Sequence, residues 1–147
     1  MITYLDSSII LRIILGQANA LQEWRSITQG VASALVEVEC LRTLDRLRLA
    51  EGLKDAEIAA RREAVFRLLE TIDVVELTRP ILSRASQPLP TALGTLDAIH
   101  LATALLWKER TRADLVMATH DEGLATASRA SGLRVVGVST SFVKIKA

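Results

Sequence analysis

The sequence predicts an α/β protein with three layers, α/β/α, around a central and mainly parallel sheet. Short runs rich in β-branched residues alternate along the chain with longer segments of helical periodicity. The short runs are continuously hydrophobic, which is typical of parallel strands that are buried on both faces. Half of the 147 residues are hydrophobic, enough for a sizeable core. We therefore expect one domain over residues 1–147.

Five strands and seven helical segments account for most of the chain. The predicted strands are Ile2–Leu5, Val31–Ser33, Asp73–Leu77, Leu115–Ala118 and Val135–Val138. The predicted helices cover residues 7–15, 19–28, 34–50, 55–70, 79–86, 95–110 and 121–131. The third helix is the best supported, because Val36, Cys40 and Leu44 repeat on one stripe. "SQPLPTALGT" contains two of the three prolines and is predicted to be a loop.

Charge and cysteine content restrict the class of protein. The net charge is +1, from 18 basic and 17 acidic residues, so any nucleic-acid surface must come from local clustering. Cys40 is the only cysteine and lies in an apolar helical stretch, which suits a reducing compartment. No basic leader and no apolar run of membrane-spanning length are found. We expect a cytoplasmic protein without a membrane partner.

Acidic residues follow the predicted strands or begin the helices after them. In a parallel sheet, ligands bind outside the carboxyl ends of the strands, so these acids are predicted to share one edge. They are Asp6, Glu37, Glu39, Asp97 and Asp121. Thr95 is the expected N-cap of the helix that carries Asp97.

Clustered carboxylates repel one another and need a cation. Mg²⁺ or Mn²⁺ is the natural choice, because both prefer oxygen ligands. Each acid has a plainer interpretation when taken singly, since an aspartate after a strand often caps the next helix or complements its dipole. The coincidence of four acids at one edge favours a metal site. His100 and His120 are expected to pack or form hydrogen bonds rather than bind metal.

Four stretches carry a family resemblance. "YLDSS", "SALVEVECLRTL", "TLDAIHLATAL" and "MATHDEGLATAS" resemble, in order, the four acidic motifs of PIN-domain proteins. Their order and the chain length are most similar to those of VapC-type toxins of toxin–antitoxin pairs. The resemblance implies a PIN-like fold and an Mg²⁺- or Mn²⁺-dependent endoribonuclease with an RNA substrate. It also implies a homodimer that a cognate antitoxin protein neutralises.

The resemblance assigns the catalytic and metal-binding roles residue by residue. The four acids are Asp6, Glu39, Asp97 and Asp121. Glu39 is preferred over Glu37 because an arginine often follows the second acid in this family, and Arg42 follows Glu39 after one helical turn. Glu37 stays an alternative. Asp121 is expected to be the most variable of the four in its role.

Other functions can be weighed against this hypothesis. A haloacid-dehalogenase-type phosphotransferase needs a second aspartate where the chain has Ser8, and a response-regulator receiver needs one after its third strand, where the chain has Glu76. The main alternative is a catalytically silent PIN fold that acts as a binding module. With two histidines and at least four well-placed acids, the inventory favours metal-activated water over the ribose 2′-hydroxyl as nucleophile.

Overall fold

A five-stranded, fully parallel sheet forms the centre of the molecule. The computed structural model describes residues 1–139. The strands are β1 (Ile2–Leu5), β2 (Gln29–Ser33), β3 (Asp73–Val75), β4 (Leu115–Ala118) and β5 (Arg134–Val136). Their order across the sheet is β3-β2-β1-β4-β5, and every neighbouring pair is parallel. The chain therefore reverses its direction of winding between β1 and β4, the position at which such sheets bind ligands.

Six α-helices and one short 3₁₀ helix, Gln22–Ser26, connect the strands within the described residues. The α-helices are α1 (Ser7–Ile14), α2 (Leu35–Glu51), α3 (Asp55–Glu70), α4 (Arg79–Ala85), α5 (Thr95–Thr111) and α6 (Glu122–Ala130). No helix in this part of the chain has both the length and the apolar character needed to cross a membrane.

Helices cover both faces of the sheet, which confirms the three-layer α/β/α prediction. On one face, Leu5 of β1 packs with Ile9 of α1, Val36 of α2 and Val65 of α3. On the other face, Tyr4 packs in a cluster that α5 and α6 supply with Leu101, Leu124 and Ala127. Adjacent residues of β1 face opposite layers, and the strand is buried on both sides, with the charged residue Asp6 directly after its carboxyl end.

Four segments differ from their predicted bounds by two residues or more. Strand β2 begins at Gln29 rather than at Val31. The helix predicted over residues 19–28 is only the 3₁₀ helix. The third strand ends at Val75, which pairs with Ser33 at the end of β2. The fifth strand ends before Gly137, which has φ of +101°. A Cβ atom at Gly137 would lie 2.4 Å from the carbonyl oxygen of Thr119, so the chain turns sharply there and leaves the sheet.

Candidate active site

Asp6 lies at the carboxyl end of β1 and is 4% exposed. It occupies the N-cap position of α1, but its side chain makes no capping hydrogen bond. Its Oδ2 instead accepts hydrogen bonds from Ser8 Oγ at 2.7 Å and Thr119 Oγ1 at 2.8 Å. The hydroxyl groups satisfy a carboxylate whose burial would otherwise be costly. Asp6 is therefore not a simple helix cap.

Asp121 follows β4 and does cap its helix. Its Oδ1 accepts a hydrogen bond from the backbone N–H of Leu124 at 2.7 Å. Thr119 connects this cap to Asp6, because the same Oγ1 that donates to Asp6 accepts from the backbone N–H of Asp121 at 3.0 Å. The two acids are thus joined by one hydroxyl, while the exposed carboxylate of Asp121 faces solvent.

Glu39 belongs to a buried chain of hydrogen bonds that crosses the top of the sheet. Its Oε1 lies 2.5 Å from His100 Nε2, and Nδ1 of the same imidazole lies 2.7 Å from Tyr4 Oη. Tyr4 Oη also accepts a hydrogen bond from the backbone N–H of Ser33. In the neutral imidazole the tyrosine hydroxyl can donate to Nδ1 while Nε2 donates to Glu39. In the imidazolium both ring nitrogens donate, Nε2 to Glu39 and Nδ1 to Tyr4 Oη. This chain fixes the orientation of the Glu39 carboxylate.

His100 is the positive partner available to these acids. It is fully buried, and its Nε2 lies 3.8 Å from Asp6 Oδ1. Burial disfavours the imidazolium, but the hydrogen bond to Glu39 and the attraction of Asp6 and Asp97 outweigh it, so the pKa of His100 is raised. The prediction that His100 forms hydrogen bonds is confirmed.

Asp97 is half-buried in the first turn of α5, and no hydrogen bond to its carboxylate is found among residues 1–139. Burial, followed by repulsion from Asp121, Asp6 and Glu39, raises the pKa of this carboxyl, and attraction to His100 only partly opposes the rise. The helix begins at Thr95 itself, and its N-cap is Gly94 without a side-chain cap. The prediction of Thr95 as N-cap is therefore wrong, because the helix starts at Thr95, one residue earlier than such a cap requires.

The structure brings Asp6, Glu39, Asp97 and Asp121 close enough together for each of the other three to influence Asp97. Glu37, by contrast, points to solvent on α2. Within residues 1–139, no three His, Cys, Asp or Glu side chains are already placed to share a metal ion. The donor set nevertheless fits Mg²⁺ or Mn²⁺, because it consists of carboxylate oxygens and because repulsion within the cluster calls for a cation.

Contacts of two histidines in the site had no clear signal in the sequence. His120 Nδ1 lies 2.7 Å from the carbonyl oxygen of Gly137, and its backbone N–H donates to Ser8 Oγ. The other histidine is His100, whose contact with Glu39 joins residues 61 positions apart. Cys40 is buried as predicted, and burial raises its pKa to about 12, so it stays a thiol.

Comparison with known proteins identifies the family. The PIN domain family model matches residues 3–130. "Ribonuclease VapC46" of Mycobacterium tuberculosis (strain ATCC 25618 / H37Rv) is 34% identical over 140 residues, which cover 92% of this chain and 97% of that protein. "Ribonuclease VapC35" of the same strain is 33% identical over 142 residues, which cover 90% and 94%.

Solved structures show the same fold at low sequence identity. A toxin–antitoxin complex from Klebsiella pneumoniae contains a chain with a TM-score of 0.62 and 19% identity, covering 95% of this chain and 97% of that one. The structure of FitAB bound to an IR36 DNA fragment gives a TM-score of 0.68 at 15% identity, with coverages of 92% and 93%. The family model and the relatives together span most of the chain, which therefore belongs to the PIN domain family, in its VapC group.

Proposed function

We propose that the protein is a metal-dependent endoribonuclease that acts as the toxin of a toxin–antitoxin pair. The single observation that carries the proposal is the carboxylate cluster at the carboxyl ends of the strands: Asp6 and Glu39 meet at His100 Nε2, at 3.8 and 2.5 Å, and Asp97 lies near enough to feel Asp6, Glu39 and Asp121. Such a cluster is unfavourable unless a cation joins it. The VapC relatives, which are named ribonucleases, support RNA as the substrate.

Asp6, Glu39, Asp97 and Asp121 would hold Mg²⁺ or Mn²⁺. A bound divalent ion supplies a water of lowered pKa and charge stabilisation at a phosphate oxygen. The hydroxyls of Ser8 and Thr119 orient the Asp6 carboxylate. His100 orients Glu39 and offsets part of the negative charge while no metal is bound.

An inhibiting protein partner is part of the proposal, because an unrestrained ribonuclease damages its own cell. An arginine from the antitoxin would bind the carboxylates in bidentate fashion. The structure offers a groove between α1 and α2, into which Leu11, Leu15 and Leu47 project, for a helix of the partner. Its lining also includes Gln17, just after α1, and Glu51 at the end of α2. We further propose that residues 1–147 act as one domain, that the protein is a homodimer and that it works in the cytoplasm.

Cleavage of RNA by the purified protein tests the catalytic part. We expect cutting that requires Mg²⁺ or Mn²⁺, stops in excess chelator and returns when the metal is restored. The products should carry a 5′-phosphate and a 3′-hydroxyl, because water and not the 2′-hydroxyl attacks. A 2′,3′-cyclic phosphate, or full cutting in chelator, would contradict this mechanism. No cutting of any RNA in either metal would favour the silent binding module.

Growth of a host cell tests the toxin part. Expression of the protein alone should arrest growth, and co-expression of a neighbouring small gene should restore it. Asp6→Asn is the matched control, since it removes one charge at nearly constant volume. Equal growth with and without the neighbouring gene, while folded and active protein is present, would argue against a toxin role without affecting the ribonuclease proposal.

A further inference from the structure

A groove of about 430 Å³ runs from the acidic cluster along the outer surface of α2. Glu39 lies where the groove meets the cluster. Val38, Arg42 and Arg46 form one wall, and Leu96 at the start of α5 forms the other. Val38, Arg42 and Arg46 are four residues apart, so they lie in a row on one side of α2. The groove therefore leads from the carboxylates past two successive arginines.

Both arginines keep most of their positive charge available to a ligand. Arg42 is 3.4 Å from Asp45, but Asp45 makes a shorter contact, 2.9 Å, with Arg48. The hydrogen bond from Arg48 is also the main reason that the pKa of Asp45 is lowered. Arg46 donates only to the neutral hydroxyl of Thr43, at 2.9 Å, and no ion pair to Arg46 is found in residues 1–139. An exposed pair such as Arg42 with Asp45 is weak and easily exchanged for another anion.

The same groove exposes two large apolar side chains. Val38 is 53% exposed and Leu96 is 49% exposed, although each is adjacent in sequence to an acid of the cluster. Apolar surface beside cations is the combination that binds a single nucleic-acid strand, because the cations follow the phosphates while the bases lie against the apolar side chains.

We propose that this groove binds a single strand of RNA beside the bond to be cut, with phosphates on Arg42 and Arg46 and a base or ribose against Val38 and Leu96. The proposal rests on the proposed ribonuclease function and assigns the substrate-binding residues. The acidic cluster by itself repels a polyanion, so attraction has to come from neighbouring cations. A protein segment carrying an arginine would be repelled by Arg42 and Arg46 if it lay in this groove, which favours RNA as its occupant and leaves the groove between α1 and α2 to the antitoxin.

The test is the salt dependence of binding to a fluorescein-labelled oligouridine, measured by anisotropy in excess chelator so that no cleavage is needed. Each lost phosphate contact lowers the slope of log K against log salt by about 0.7 for a single strand. The double variant Arg42→Gln/Arg46→Gln should therefore lower the slope by about 1.4 and weaken binding at least tenfold at low salt. Arg110→Gln/Arg112→Gln is the matched control, because it removes two exposed arginines at the end of α5 opposite to Leu96, and no ion pair to either is found in residues 1–139.

Arg42→Lys/Arg46→Lys should keep the wild-type slope, which separates charge from folding. Equal slopes in the groove variant and the control variant would overturn the proposal, as would loss of binding in the lysine variant. A duplex of the same length that binds as tightly as the single strand would overturn it too. If the wild type binds through these arginines but cuts nothing in Mn²⁺, the proposed function fails while the groove assignment stands.

Discussion

Asp6 and Asp121 occupy the same position in two repeats of one local pattern, a buried strand, an aspartate and a helix. Asp121 uses its carboxylate to cap α6 through the N–H of Leu124. Asp6 makes no such bond to α1 and accepts two hydroxyl groups from Ser8 and Thr119 instead. The same pattern thus gives a helix-capping carboxylate at Asp121 and a carboxylate that does not cap its helix at Asp6.

The two aspartates differ because of the residues next to them. A carboxylate caps a helix only when no other donor holds its oxygens. Ser8 is two residues after Asp6, and its hydroxyl reaches back to Oδ2. The position two after Asp121 is Gly123, which has no side chain to compete. An aspartate at a strand end is therefore a better candidate for chemistry when hydroxyls and a histidine surround it than when the helix behind it uses its oxygen.

The largest expected effect is on RNA cleavage, where substitution of Asp6 and of Asp121 should have different consequences. Asp6→Asn should lower the rate of RNA cleavage by at least about 100-fold, because it removes a charge from the proposed metal site. Its free energy of unfolding should hardly change, since the amide oxygen can still accept from Ser8 and Thr119. Asp121→Asn should lose less activity. Cleavage rates and urea titrations of both variants measure this, and equal rates for the two would remove the distinction.

The next largest effect is expected when the Thr119 hydroxyl that connects Asp6 with Asp121 is removed. Thr119→Val removes the hydroxyl that donates to Asp6 and accepts from the Asp121 N–H. Because both partners then lose a bond in a buried place, unfolding should become easier by about 1–3 kcal/mol. Thr119→Ser keeps the hydroxyl and is the control. A urea titration showing equal stability for the valine and serine variants would contradict the connection.

A smaller effect on stability is expected when the N-cap of α6, the Asp121 side chain, is removed. Asp121→Ala should lower the free energy of unfolding by about 1 kcal/mol, the usual cost of losing an N-cap, and Asp121→Asn should cost almost nothing. Thermal or urea unfolding of the two variants gives the comparison. If alanine and asparagine behave alike, the bond to the Leu124 N–H adds nothing to the stability of α6.

The smallest expected effect is a pH dependence of the free energy of unfolding, which comes from His100 beside Asp6. The pKa of His100 is raised from 6.5 in the folded protein, so folding favours its protonated form. The resulting stabilisation is complete below about pH 6.5 and is lost as the pH rises through the folded pKa. In metal-free protein we expect the free energy of unfolding to fall over that range, by less than in the variants above. His100→Gln should remove this component, and an unchanged pH profile in that variant would exclude His100 as its source.

The sequence predicted the fold well wherever burial controls the local pattern. Strands β1 and β4 match their predicted bounds, because each is a continuous apolar run that ends at a polar residue. The segment 19–28 was predicted less well, since its apolar residues are too few to distinguish a 3₁₀ turn from a helix. The end of β5 depends on the close approach of Gly137 to Thr119, a tertiary contact that periodicity cannot reveal.

For the site, sequence position indicated which acids share an edge, but not what each carboxylate contacts. The hydrogen bond between Glu39 and His100 joins two helices on opposite faces of the sheet, so no local pattern could reveal it. The roles of Asp6, Glu39, Asp97 and Asp121 as metal ligands stay a prediction. The cap on Asp121 was anticipated as an alternative, and the bond from Leu124 confirms the cap without deciding whether its second oxygen binds metal.

The central place of β1 has a consequence for synthesis on the ribosome. Strand β1 can pair with β2 early, but its other neighbour, β4, is translated more than a hundred residues later. The bond from Thr119 to Asp6 closes a loop of 113 residues, and such long-range closures are completed late. A nascent chain that ends before Thr119 has Asp6 without that partner and lacks Asp121 altogether. The protein's own translation therefore delays assembly of the acidic centre until the chain has been made as far as Asp121.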